Sequence, residues 1–355
     1  MGLLRETSIE ILAHLGSNAF EEISGEVVQS VMFTLSNCSP SKEHAISAFR
    51  LVGLANALEK DARLRLKGSE NVLRVTNSSL LDIIDTPIVY WVPPNILKIL
   101  VSFSKVRDVA DVRRGIGCSE LLRFVRRFHE VDLYKQQHLW IPYAHGGGYR
   151  KWDGLIETVV DWSYNGARLK LSRSIIPSEY RYFSEGLTFT DFAQGALSTR
   201  ILNSNCVFSD SGPGIFPFLE TDNKWLLLGL LNSRFSSYIL RTTSPSALHF
   251  RTGYVENIPI PQNALSNLNL LAKTCKILKS LVTEVTIKEL DFQVGKVLEF
   301  DPWPTLLTFE AMLEKVVFGA FGINDLESST VIDETGILSG WYPFVAGYDT
   351  LPPLP

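Results

Sequence analysis

From Asn95 to Pro261 glycine, proline and asparagine recur so often that no regular element can run far, and this punctuation limits the fold more than any other feature. The segments between these breakers are short, apolar and rich in β-branched or aromatic residues, as brief strands joined by turns must be. RYFSEGLTFTDFAQGALSTRILNSNCVFSDSGPGIFP (181–217) alternates aromatics, threonines and small polar residues, which implies strands with one packed and one solvated face. Two helices are expected among the strands. One is SELLRFVRRFHE (119–130), opened by Ser119 as a cap, and the other is WLLLGLLNSRFSSYIL (225–240). IPIPQN (258–263) closes the region like a hinge.

The flanks read differently. GEVVQSVMFTL (25–35) has strand composition between breakers. Ser41 can cap a helix whose apolar residues at 46, 49, 52, 54, 55 and 58 keep a helical period. NVLRV (71–75) and PIVYWV (87–92) look like short strands before the Pro93-Pro94 break. After 263, LSNLNLLAKTCKILKSLVTEVTIKEL predicts one long amphipathic helix, and the tail to Pro355 predicts loop or extended chain. The expected class is α+β: a mixed domain of short strands and helices over 96–262, preceded by an α/β edge (1–40) and a helical connector (41–95). An acidic helical region (263–355) follows it.

With 45% hydrophobic and 20% charged residues, a chain of 355 residues builds a sizeable core. The four cysteines (38, 118, 206, 275) lack paired spacing, which argues against disulfides and zinc and suits a reducing cytoplasm. Arg5, Glu6 and Glu10 rule out a signal peptide at the N-terminus, and WLLLGLL (225–231) is too short to span a membrane. The net charge of −4 is unevenly spread. Residues 281–335 hold 11 acids against Lys288, Lys296 and Lys315, whereas residues 98–135 hold nine cations against five acids. A basic middle beside an acidic end suits a protein that meets a polyanion with one face.

Phosphate loops (GxxxxGK[ST]), HExxH, GxSxG and GxGxxG are all absent, and the six histidines lack metal-ligand spacing. No catalytic residue and no metal site is therefore nominated. Two segments nominate nucleic-acid contacts. DVRRGIG and the helix expected after it carry Arg113, Arg114, Arg123, Arg126 and Arg127, either as a solvated face or as cations for phosphates and guanine edges. WIPYAHGGGYRKWDG (140–154) sets Gly146, Gly147 and Gly148 before Tyr149, Arg150, Lys151 and Trp152. Such a run is either a surface turn with Trp140 and Trp152 in the core, or a loop whose backbone and cations approach DNA.

The order of segments carries a resemblance. LGSNAFEEISGEVVQSVMF is followed by DVRRGIGCSELLRFVRRFHEV, WIPYAHGGGYRKWDG, YFSEGLTFTDFAQGALSTR, FSDSGPGIFP, LLGLLNSRFSSYIL and VENIPIP. Over residues 1–265 this succession resembles the C-terminal half of the PglX-type adenine-specific DNA methyltransferases of BREX phage defence, which are similar to fused restriction–modification enzymes. The resemblance implies double-stranded DNA as partner, with residues 96–262 as the target-recognition domain and 1–40 as the last strands of a methyltransferase core. It also implies S-adenosyl-L-methionine and the Asn-Pro-Pro-Tyr pocket for the intact enzyme, not for this chain, where WVPPN (91–95) reads as a plain proline break. The family's Gly-Leu-x-Thr-Gly-x-Asn loop is here Gly115-Ile116-Gly117-Cys118-Ser119-Glu120-Leu121, and its lysine before the glycines is His145. Three readings stay open: a DNA-reading part lacking catalysis and served by a separate methyltransferase subunit, an interaction or regulatory subunit of a defence complex, and a complete methyltransferase whose gene start was drawn too late.

Overall fold

The computed structural model describes residues 3–20, 29–66, 72–83, 87–132, 138–193, 196–218, 221–244, 249–262 and 266–335. Residues 25–28 of the expected first strand and the tail from 336 lie outside them. The described residues form a mixed α+β structure with 12 helices and three four-stranded sheets, divided into two compact units at Ser102/Phe103.

The first unit holds α1 (Leu3–Glu6), β1 (Ser8–Gly16), β2 (Ser30–Ser36), β3 (Ala45–Arg50), α2 (Ala57–Arg65), β4 (Leu73–Thr76), α3 (Asn77–Leu81) and α4 (Pro94–Ser102). Its sheet has the order β2-β1-β3-β4, with β1 and β3 parallel and the other pairs antiparallel. The helix expected from Ser41 is replaced by β3. There Ile46 and Ala48, two residues apart, are both fully buried, so a period of two wins over the helical pattern. The real helix begins later, where the Asn56 side chain accepts from Glu59 N at 2.9 Å and Glu59 accepts in return from Ala55 N. PIVYWV is likewise not a strand but a chain of tight turns (Val89 N to Pro87 O, Val92 N to Val89 O) that buries Val89, Tyr90 and Val92.

The second unit begins with β5 (Ala110–Arg113), α5 (Leu121–Phe124), β6 (Val125–Arg127), β7 (Trp140–Ala144), β8 (Thr158–Asp161) and α6 (Ser163–Lys170). β9 (Gly186–Phe189), β10 (Thr199–Leu202), β11 (Val207–Phe208) and β12 (Gly214–Pro217) follow, then α7 (Thr221–Leu231), α8 (Arg234–Thr243), α9 (Thr252–Val255), α10 (Ser266–Glu284), α11 (Trp303–Ala320) and α12 (Asp325–Thr335). One sheet runs β10-β9-β12-β5, all antiparallel, and the other runs β11-β7-β8-β6, with β11 parallel to β7. Phe124, Tyr143, Trp162, Tyr182, Phe208 and Phe216 share one buried cluster.

The expected helix over 119–130 does not form. After the single turn of α5, Val125, Arg126 and Arg127 pair as a strand with Val160, Val159 and Thr158, and Phe124 is fully buried. Long-range pairing overrides the local helical period here. The helix expected over 225–240 breaks in two at Asn232-Ser233. The Asn232 amide bonds Thr199 N and Thr199 O, both at 2.8 Å, while Ser233 caps α8 by accepting from Ser236 N.

Candidate nucleic-acid interface

The loop from 145 to 156 leaves β7 and turns inward. Gly146 has φ +76°, and a Cβ there would lie 2.2 Å from the Ser211 carbonyl oxygen. The backbone this glycine admits is thus the protein's own, while Gly147 is exposed with open space around it and Gly148 sits beside Leu155. Beyond them Trp152 lies beside β10, its N–H on Thr199 O at 2.8 Å and its carbonyl accepting from Ile201 N at 3.2 Å.

The charges of this loop meet acids of the C-terminal region, Glu289 in the connection after α10 and Glu310 in α11. Arg150 pairs with Glu289 at 2.8 Å, and the other Glu289 oxygen accepts from Ile156 N at 3.1 Å. Lys151 pairs with Glu310 at 3.5 Å, and the Trp152 indole N–H donates to the same carboxylate. Lys151 and Trp152 are 7% and 1% exposed, which puts them beyond reach of a duplex in this arrangement. Burial pushes the Tyr149 hydroxyl well up, reinforced by Glu310 and Glu314. Nearby, Lys279 lies 4.2 Å above the Trp303 ring and is brought down to about 7, by burial first and Arg150 second. Glu314, accepting from Arg234 N at 2.8 Å, is raised to about 7 by burial. Arg200 is fully buried, and its Nε and Nη2 find no partner among the described residues.

These carboxylates were missed in the sequence. The surplus of acids over 281–335 was visible there, but its target was not, because Lys151 and Glu310 stand 159 residues apart.

The five arginines from 113 to 127 have the opposite disposition. Arg113 bridges Asp111 at 2.7 Å and donates to the Tyr180 hydroxyl at 2.9 Å, and Arg114 stands 3.7 Å from Asp210. Arg123 pairs with Glu120 at 3.2 Å and lies 4.9 Å from the Phe124 ring centre. Arg126 bonds the carbonyls of Leu122 and Val125, and Arg127 pairs with Glu157. The side chains of Arg113, Arg114, Arg123 and Arg127 are 44% to 67% exposed, so water and any phosphate have access to them. Gly117 exchanges hydrogen bonds with Ile175, and Ser119 N donates to Ser174 Oγ, so residues 117–119 lie against a second basic stretch carrying Arg168, Lys170 and Arg173. Sequence reasoning did not single out that stretch.

Among the described residues no helix is long and apolar enough to cross a membrane, and no group of three or more His, Cys, Asp or Glu residues could hold a metal ion. No protein-family model matches the chain. It is 29% identical over 276 residues to the adenine-specific methyltransferase PglX of Lacticaseibacillus casei (strain Zhang), a match spanning 70% of this chain and 22% of that protein. It is 29% identical over 283 residues to the adenine-specific methyltransferase BrxX of Escherichia coli O9:H4 (strain HS), spanning 76% of this chain and 22% of that protein. Among solved structures, the type IIL restriction–modification enzyme MmeI, determined in complex with DNA, matches 93% of this chain and 46% of its own with a TM-score of 0.50. At 12% identity that likeness speaks for the fold. The resemblance read from segment order is borne out: the chain is homologous, over most of its length, to a segment amounting to 22% of the PglX and BrxX adenine-specific methyltransferases.

Proposed function

We propose that this chain reads duplex DNA for an adenine-N6 methyltransferase of a phage-defence or restriction–modification system, without itself transferring the methyl group. The observation that carries the reading is the division of its cations. Those at 150 and 151 are held by carboxylates, whereas Arg113, Arg114, Arg123, Arg126 and Arg127 remain at the surface, where phosphates can replace their present partners. MmeI, similar in fold, is known bound to DNA, which supports the same partner here.

S-adenosyl-L-methionine belongs, in this reading, to a catalytic part other than these residues. The passages from β3 to α2 and from β4 to α3 offer one glycine, Gly53, where a strand-to-helix cofactor cradle uses several. The reading assumes a reducing cytoplasm.

Titration against a randomised duplex pool at two salt concentrations, with enriched sequences read out, tests the proposal. It expects an enriched asymmetric site whose affinity falls steeply with salt. Charge reversal at Arg123 and Arg127 is expected to flatten the salt slope by about one for each phosphate no longer neutralised. Binding without enrichment, or no binding at low salt, overturns it. A second reading, an interaction subunit, is favoured by β2, whose Val31, Met32 and Phe33 are 47%, 60% and 55% exposed on an edge strand.

A further inference from the structure

The segment Trp162-Ser163-Tyr164-Asn165-Gly166 has an unusual backbone. Tyr164 (φ 53°, ψ 46°), Asn165 (φ 56°, ψ 41°) and Gly166 (φ 73°, ψ 16°) form three consecutive left-handed residues at the start of α6. L-residues avoid this region, and runs of it persist only where the surroundings impose them. The surroundings here do so. Asp161, 4% exposed, accepts from Ser163 N at 3.0 Å and from Arg168 at 2.8 Å. Gly166 N donates to Trp162 O at 3.0 Å, and a Cβ at Gly166 would come within 3.0 Å of the Trp162 ring. That ring is fixed in turn by edge contacts with Tyr182 at 5.6 Å and Phe183 at 5.9 Å.

This rigid base presents an aromatic to solvent. Tyr164 is 85% exposed and makes no hydrogen bond or ring contact among the described residues. Packing holds the turn in this conformation but does not explain why it carries an aromatic ring into water. Cations surround it: Arg168, Lys170 and Arg173 lie within residues 162–178, and the stretch lies against the segment leading to Arg123. Arg168 is paired with Asp161 and Lys170 with Glu179 at the two ends of the stretch, but their side chains are 53% and 39% exposed to a competing phosphate. Aromatic rings set among cations are what proteins press against bases while holding the backbone phosphates.

We propose that the Tyr164 turn is a DNA-probing wedge, in which the ring enters the duplex and stacks on a base while Arg168, Lys170 and Arg173 hold the flanking phosphates. The inference rests on the DNA-recognition reading above and adds residues that reading does not contain.

The test uses the full chain and duplexes of the enriched sequence carrying 2-aminopurine at successive positions. A generic duplex serves if binding occurs without enrichment. Wild type is expected to raise the fluorescence at one step as that base unstacks. Tyr164→Ala should abolish the rise and weaken binding by about 5- to 150-fold, the range for losing one base-stacking aromatic. Tyr164→Trp should keep both. Asn165→Gly, which suits the left-handed backbone, should melt at or above the wild-type temperature and keep the fluorescence rise. If Tyr164→Ala binds and unstacks DNA as wild type does, the wedge is wrong while DNA recognition stands. If wild type binds no duplex at all, both fall together.

Discussion

Glu289, in the connection between α10 and α11, is the point where the acidic C-terminal region and the basic loop depend on one another most heavily. At 1% exposure its carboxylate meets Arg150 at 2.8 Å, accepts from Ile156 N at 3.1 Å and supplies a counter-charge to the buried Arg200. Glu289→Ala would leave the Arg150 guanidinium and the Ile156 amide without this partner and the buried Arg200 without its counter-charge. Removing one member of a buried ion pair costs about 3–5 kcal/mol, because the other charge stays buried. The orphaned amide adds about 1 kcal/mol or more, partly overlapping with that figure, for a total near 4 kcal/mol. At about 2–4 °C per kcal/mol for a unit of this size, the melting temperature should fall by roughly 10 °C. Thermal and urea unfolding of the full chain measure this. A cycle with Arg150→Met should recover about 2 kcal/mol of the loss, since contacting residues couple by that order. A loss under about 1 kcal/mol in Glu289→Ala would refute the claim that this carboxylate anchors the loop, and so would strict additivity with Arg150→Met.

Three further outcomes are expected. Asn232→Ala should lower the urea midpoint by an amount equivalent to about 1–2 kcal/mol, because the buried Thr199 N–H loses its partner while Thr199 O keeps the Trp152 N–H; an unchanged midpoint would contradict that role. Gly146→Ala should destabilise by more than about 2 kcal/mol, since it combines a left-handed φ with a Cβ meeting the Ser211 carbonyl, and a soluble variant of wild-type melting temperature would disprove the close approach. Glu314, raised in the folded state to about 7 from an ordinary 4.5, binds a proton there that the unfolded chain has released. Its contribution to stability therefore falls as pH rises from about 4.5 to 7, by at most about 1.4 kcal/mol per pH unit. Urea midpoints of Glu314→Gln at pH 5 and pH 7 should differ less than those of wild type, and an equal difference would exclude this carboxylate as a source of the slope.

Much of the strand content was legible because it is local. Residues 181–217 did become strands, β9, β10, β11 and β12, but these are buried on both faces instead of half solvated as the alternation implied, because helices and the second sheet cover them; the helical period after 265 became α10. The errors share one cause, which is pairing with distant chain. Residues 119–130 satisfy a helical period by themselves, yet the pairing of 125–127 with 158–160 makes those three a strand, and residues 45–50 are drawn beside β1 in the same way. The site divides along the same line. Arg123 and Arg127 stay exposed beside acids close to them in the chain or across one strand pair, whereas the fate of Arg150 and Lys151 depends on Glu289 and Glu310, more than a hundred residues downstream. The left-handed turn at Tyr164 is visible in sequence only as Asn-Gly, and nothing in that pair announces the tyrosine before it.

The ionic clamp also constrains the order in which the molecule can be made. As the chain leaves the ribosome, β7 and the glycine loop appear long before α11, so Lys151 and the indole of Trp152 must wait in water for a carboxylate not yet synthesised. Bringing together groups 159 residues apart costs chain entropy before it returns any energy, which makes the clamp a late event in folding. The loop from 145 to 156 should therefore reach its final conformation last, although it lies near the middle of the sequence.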